Sequence, residues 1–251
     1  MALREELQKQ GDFLFRYRSN LPLILIIFGI GLKVYQDVMA VQAGDELSQN
    51  IPVLFSLSVG LLGLFVRIIT VGYTPRNTSG RNTSQGQVAD KLNTTGIYSL
   101  IRNPLYLGNY LMWVSVALLT DNLWFTALFS LVFWIYYERI VYSEEAFLRV
   151  KFGDTYLKWA EKTPPFLPKF FSYKSNIISF SWKKILKKEK NGLFALFLLF
   201  WIFQVIGDSI KHQDFTIEYN WQLYSTIATA VIYLLIRSIR KNTKLLNETD
   251  R

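Results

Sequence analysis

The sequence predicts an all-α fold: a polytopic membrane helix bundle of about six transmembrane helices, forming one membrane domain over residues 1–251. Three observations predict it. Apolar residues make up 51% of the chain and aromatics 16%, yet the charges gather between apolar blocks instead of spreading as on a soluble surface. The blocks have bilayer length: Leu21 to Val41, Ile51 to Gly72, Leu123 to Val141, Leu193 to Ile210 and Trp221 to Ile239. The run from Leu105 to Leu119 is shorter and reaches span length only with its polar first turn. Runs of about 18 or more apolar residues cross a bilayer as helices, because lipid offers no partner to an unpaired backbone group. Lys and Arg also alternate in density from loop to loop. Arg4, Lys9, Arg16 and Arg18 precede the first span, Arg76, Arg81, Lys91 and Arg102 lie in the second loop, and the fourth ends in KKILKKEK. The opposite loops are nearly bare of positive charge, and positive loops stay cytoplasmic, so both termini are predicted inside.

In chain order, residues 1–20 read as an amphipathic interfacial helix or, equally, as a tail with anchoring aromatics. The first apolar run is too long for a signal peptide and is retained as a span. Lys33 in that span and Arg67 in the next are expected to snorkel, Lys33 toward the outer interface and Arg67 toward the inner one. A long polar loop with the echo RNTS at Arg76 and Arg81 follows; those arginines read either as a contact for an anionic group or as a plain positive flank. Residues 1–90 thus hold the N-terminal spans and a cytoplasmic loop, 91–168 a motif region, and 169–251 an interfacial segment and two C-terminal spans.

The net charge of +9 follows mostly from the loop asymmetry and implies attraction to anionic lipid headgroups, with no need of nucleic acid. The chain has no Cys, which excludes disulfides, thiolate metal sites and thiol nucleophiles. No metal site is expected.

The motif region carries the chemistry. Gly96 to Gly108 reads GIYSLIRNPLYLG, and the following span closes in EEAFLRVKFGDTYLKW. Pro104 pushes Asn103 out of helical geometry and suits the first position of a helix. Tyr98, Arg102 and Tyr106 are then presented around a helix N-terminus, whose free N–H groups attract anions. The fourth predicted helix continues past the bilayer through Glu138, Arg139, Glu144, Glu145 and Arg149, which brings Arg139 and Glu144 toward the loop of Arg102. Pro164, Pro165 and Pro168 stop it. The basic stretch with Phe170, Phe171, Tyr173, Ile177, Phe180 and Trp182 is expected on the inner membrane surface.

These residues resemble a family. The pattern GxYxxxRNPxYxG, an aromatic span, then EExxLxxxFGxxY and a proline-rich end, over Lys91 to Pro168, is similar to the isoprenylcysteine carboxyl methyltransferase and phospholipid methyltransferase superfamily of integral membrane enzymes. The resemblance implies a pocket for S-adenosyl-L-methionine at the cytoplasmic face. By position, Asp90, Lys91, Leu92 and Asn93 supply backbone contacts, Tyr98 a side-chain contact, Asn103, Pro104, Leu105 and Tyr106 wrap the cofactor, and Glu144 binds it from the next helix. This chain has Asn103 where the family usually has His, and Trp159 where it has Tyr. The family's substrate arginine corresponds to Arg139, slightly out of register at five residues before Glu144.

The chemistry of the residues agrees in kind, since a sulfonium carrying an aminocarboxylate needs a carboxylate, aromatic faces and donors. The lone His212 falls on the outer face, so no histidine base is expected. An anionic oxygen on a lipid or lipidated substrate needs none, which favours O-methylation with Arg102 and Arg139 holding the acceptor. An amine headgroup would need Glu144, Glu145 or Glu138 to take its proton; Arg139, Arg102 and Glu145 are the candidate catalytic groups. An NADPH-dependent sterol-type reductase, which shares a KFG-type ending, and a small transporter are the competing readings.

Overall fold

The computed structural model describes residues 2–18, 20–47, 49–75, 81–83 and 86–248. Among the described residues eight α-helices form: α1 Leu3–Arg16, α2 Asn20–Ala43, α3 Val53–Gly72, α4 Pro104–Leu118, α5 Leu123–Phe152, α6 Asp154–Ala160, α7 Trp182–His212 and α8 Trp221–Asn242. The all-α expectation holds apart from one antiparallel hairpin in the polar loop, β1 Arg81–Thr83 with β2 Gly86–Val88, in which Asn82 pairs with Gln87. Arg76 lies outside the described residues.

Helices occupy all six expected span positions, and four of them, α2, α3, α7 and α8, are long and apolar enough to cross a bilayer. At 15 residues α4 is about 22 Å long against a hydrocarbon core of about 30 Å. The 30 residues of α5 include the charged segment from Glu138 onward, so apolar and charged parts form one continuous rod.

Small residues bring α3 and α4 together. A Cβ on Gly63 would lie 2.7 Å from the Gly108 carbonyl oxygen and 2.8 Å from Leu111 Cβ, and one on Gly108 would lie 2.6 Å from Arg67 Cγ. Close backbone approach of this kind is how helices associate where lipid removes the usual hydrophobic drive. One buried cluster, largely aromatic, includes Phe129, Phe133 and Tyr137 of α5 and Phe200 and Phe203 of α7. Phe133 and Tyr137 stack with ring centroids 4.1 Å apart.

Both intramembrane cations depart from the snorkelling expectation. Lys33 pairs with Asp37 one turn on, at 2.8 Å. Arg67 bonds Glu189 of α7 through Nε at 2.7 Å and Nη2 at 2.9 Å, and Nη1 donates to Asn109. A buried charge in a low-dielectric interior is tolerated when it is paired and hydrogen-bonded, and each cation here has a carboxylate within reach.

The expected N-terminal interfacial helix is α1, Leu3–Arg16, and it is docked. Asp12 meets Ser143, Tyr136 donates to the Leu14 and Tyr17 carbonyls, and Tyr137 donates to that of Arg18, so α1 lies on the C-terminal half of α5. The fourth loop also differs from expectation. α7 begins at Trp182, eleven residues before Leu193, so KKILKKEK is helical and continuous with the span. Phe170, Phe171 and Ile177 of the preceding stretch are exposed.

Gly63→Val should lower the thermal midpoint of the detergent-solubilised protein, at a cost of roughly 1–3 kcal/mol from overpacking. An unchanged midpoint in a fluorescence melt would remove the α3–α4 contact as a determinant of the bundle.

Candidate functional site

The segment before α4 is held open by backbone geometry that its sequence dictates. Gly96 has φ +59, a conformation open to glycine at little cost, and its N–H donates to the Lys174 carbonyl at 2.8 Å. A 3-10 turn over Ile97–Ser99 follows, and Pro104 opens α4. The proline-rich stretch lies along this segment. Arg102 N–H donates to the Pro164 carbonyl at 2.9 Å, Asn103 Nδ2 to that of Pro165 at 3.2 Å, and Lys169 N–H to that of Leu100 at 2.9 Å. The break after α5 falls at Gly153, φ +50, rather than at the prolines. The short helix α6 then brings Trp159 back, where its indole donates to the Tyr98 carbonyl at 3.1 Å.

These elements, with α3, α5 and the first turns of α7, surround a cavity of about 440 Å³, within the size range of small-molecule sites. Of the residues expected at a site, Tyr98, Arg102, Asn103, Pro104, Leu105, Tyr106, Glu144 and Glu145 line it. Glu144 accepts from the Tyr106 hydroxyl at 2.8 Å. Its pKa is pushed up to about 7, chiefly by burial and also by Glu145, against the lowering effects of Tyr106 and Arg18. Arg102 pairs with Glu145 at 3.1 Å, while its Nε is buried with no hydrogen-bond partner. The Tyr98 phenol faces Thr74 and Asn93, and burial first and Glu144 second hold its pKa far above the ordinary value. The Tyr156 phenol is raised likewise, by burial first and by Glu145.

Other expected residues stand elsewhere. Ala89 reaches the cavity wall, whereas Asp90, Lys91, Leu92 and Asn93 do not; Asp90 and Lys91 are exposed, and the Asn93 amide nitrogen is buried without a partner. Arg139 is turned away: Nε donates to Gln10 at 3.0 Å, Nη1 to the Ile135 carbonyl at 3.0 Å, and the residue lines a separate groove between α1 and α5. Helical geometry is the reason. Five residues at 3.6 per turn put Arg139 about 140° around the helix from Glu144. Tyr137, seven residues before Glu144, shares its face and lines the cavity instead.

Arg18, Arg67, Lys184, Lys188 and Glu189 also line the cavity, and reading the sequence did not place them there. A signal existed for one. Glu189 is the sole acid in KKILKKEK next to a span, and a carboxylate there needs a cation, which Arg67 supplies.

Residues 55–155 match the model of the phospholipid methyltransferase family. The protein-S-isoprenylcysteine O-methyltransferase of Schizosaccharomyces pombe is 38% identical over 75 residues, 30% of this chain and 32% of the relative. Over this segment, about two fifths of its length, the chain is similar to the phospholipid methyltransferase family and to an isoprenylcysteine O-methyltransferase. Protein-S-isoprenylcysteine O-methyltransferase B of Arabidopsis thaliana is 33% identical over 119 residues, 45% of this chain and 58% of its own length. The cobalt-zinc-cadmium resistance protein CzcN of Cupriavidus metallidurans is 33% identical over 120 residues, 47% of this chain and 51% of its own. The chain thus spans between about a third and three fifths of the length of these relatives. No solved structure matches it. The region that matches the superfamily supplies Tyr98, Arg102, Tyr106, Glu144 and Glu145, while Arg18 and α7 lie outside it.

Glu144 should titrate visibly in stability. Its folded pKa of about 7 lies above the ordinary carboxylate value, so the folded state holds the proton more tightly. That stabilisation is complete below the unfolded pKa near 4 and is lost as pH rises through 7. Glu144→Gln should therefore match the parent near pH 4.5 and exceed it at pH 8, by up to about 3 kcal/mol before discounting for water access. Parallel melting curves of the two proteins from pH 4.5 to 8 would contradict the assignment.

Proposed function

We propose that this protein is an S-adenosyl-L-methionine-dependent membrane methyltransferase acting on a lipid or lipid-attached acceptor, with an anionic oxygen, carboxylate or phosphate, as the methylated group. The observation that carries the reading is the Glu144 carboxylate, set by Tyr106 inside a cavity whose core residues fall in the methyltransferase-matched segment. That match also favours methyl transfer over the reductase and transporter readings.

The residues fit the cofactor. Glu144 offers a carboxylate to a sulfonium, and Tyr98, Tyr106 and Trp159 offer aromatic faces beside it. The buried and unpartnered Asn93 Nδ2 and Arg102 Nε are donors for a polar ligand at or beside the wall. When bound, S-adenosyl-L-methionine supplies an electrophilic methyl group, and an oxygen that is already anionic accepts it without first losing a proton. Tyr106 holds the Glu144 carboxylate in one orientation, and the Arg102–Glu145 pair fixes the wall next to it. Tyr156 and Trp159 close the side formed by α6 and keep water from the reacting groups. His212 sits at the far end of α7, bonded to the Asp208 carbonyl, and is remote from this chemistry.

A specific observation supports an amine headgroup as the second reading. A carboxyl that titrates near 7 has the strength suited to a general base at neutral pH, and Glu144 is such a group. In either case α4 and α5 complete six spans, and the Lys and Arg distribution puts both termini and the cavity on the cytoplasmic side.

Membranes containing the protein, incubated with methyl-labelled S-adenosyl-L-methionine, should yield label in the lipid extract, as a base-labile ester for an oxygen acceptor or a stable amine for nitrogen. Absence of label from both lipid and protein would count against a transferase. Glu144→Ala should weaken cofactor binding tenfold or more, and parent affinity should rise with pH up to about 7, whereas Glu144→Gln should show a flat profile. Identical profiles would remove Glu144 from the cofactor site.

Topology supplies a separate test. Tags at Thr83 and Asn176 should be protected in right-side-out vesicles and one at Gly44 accessible. Labelling of Thr83 from outside would reverse the orientation.

A further inference from the structure

The groove that holds Arg139 is separate from the cavity and plays no part in either reading of the reaction. It encloses about 470 Å³ between α1 and α5, with Leu21 of α2 in its wall. Its two ends differ in polarity. Gln10 and Arg139 meet at one end at 3.0 Å, while Val132, seven residues before Arg139 on the same face of α5, stands about two turns or 10 Å away. Leu14, Leu21 and Ile135 complete an apolar stretch with Val132. Phe13 and Ile135 are exposed, so the groove is open along its length.

Arg139 ties α1 to α5 and still has donors to spare. A guanidinium carries five N–H groups, of which Nε is spent on Gln10 and one on Nη1 on the Ile135 carbonyl, each at 3.0 Å. Both acceptors are neutral. Among the described residues Arg139 enters no ion pair, in contrast to Arg67, Arg102 and Lys33, and Asp12 of α1 is engaged with Ser143 instead. A cation beside apolar walls gives up hydration that neutral oxygens only partly restore, and an anion restores the rest through charge-assisted hydrogen bonds.

We propose that this groove is a lipid site apart from the cavity, taking an anionic phospholipid with its phosphate on Arg139 and an acyl chain along Leu14, Ile135 and Val132. The planar guanidinium matches two phosphate oxygens at once, which fixes the head. The apolar walls fix the source of that phosphate, because a free anion would leave them uncovered whereas an acyl chain buries them. A lipid bound in this way touches α1 and α5 together and stabilises the docked position of α1. The site holds whether or not the protein transfers methyl groups.

The test uses the full chain in phosphatidylcholine nanodiscs, doped with phosphatidic acid that carries a diazirine in its acyl chain or with diacylglycerol that carries the same chain and no phosphate. Peptide mass spectrometry maps the adducts. Phosphatidic acid should label Leu14 and Val132 of the parent about tenfold more than those of Arg139→Gln, the loss expected for one charge-assisted contact, with Arg139→Lys intermediate. Diacylglycerol should label all three proteins equally and weakly. Ile135→Trp fills the groove and leaves Arg139 in place, and it should lose the phosphatidic acid label as well. Thermal midpoints confirm that each variant is folded. Equal labelling by phosphatidic acid in the parent and Arg139→Gln, undiminished labelling in Ile135→Trp, or equal labelling of the parent by the two lipids would each overturn the site. Inorganic phosphate that displaces the label as well as unlabelled phosphatidic acid does would overturn the lipid source.

Discussion

The bidentate pair between Arg67 and Glu189 is the interaction on which the site depends. Glu189 is buried, and a carboxylate there without a cation would cost more than helix packing returns. Arg67 supplies that cation from α3, its stem passing over Gly108 of α4, where any larger residue would strike it. Three helices are therefore held in one register. That register brings the basic first turns of α7 beside α4 and closes the cavity on a side that the motif region alone would leave open.

A second constraint is the length of α5. Its apolar half packs through Phe129, Phe133 and Tyr137, and the same rod runs on to present Glu144 and Glu145. Because one helix carries both, the carboxylates are placed relative to the packed core rather than on a loose loop. The proline-rich stretch then bonds backbone to backbone with Leu100 and Arg102, and Trp159 bonds the Tyr98 carbonyl. The two motif segments are thereby joined through main-chain groups, which explains why their side chains stay available to line the cavity.

Docking of α1 on the C-terminal half of α5 has a similar consequence. Tyr136 and Tyr137 are adjacent on α5 and bond carbonyls at the end of α1, so the chain leaves that helix with Arg18 directed to the cavity. On the opposite side of α5, Arg139 is engaged with Gln10 of α1. The helix thus separates an arginine that serves packing from one at the cavity, although both come from charged segments flanking apolar runs.

Much was legible from the sequence because it depends on local rules. Apolar run length located the six helices, Pro104 marked the start of α4, the helix-forming residues after Val141 extended α5, and the paired motifs brought Tyr98, Arg102, Tyr106, Glu144 and Glu145 together. Partner choice across helices was not legible. Snorkelling and buried pairing look alike for a single Arg67 or Lys33 in an apolar run, and what separates them is a carboxylate within reach: 122 residues away for Arg67, one turn away for Lys33. Arg139 was misplaced because sequence proximity to Glu144 hides a rotation of about 140° around the helix. The sequence by itself determined a helical membrane protein with a methyltransferase-like motif pair. Only the tertiary structure decided which charges face the cavity, because helix packing, not order along the chain, sets which ionised groups are desolvated together.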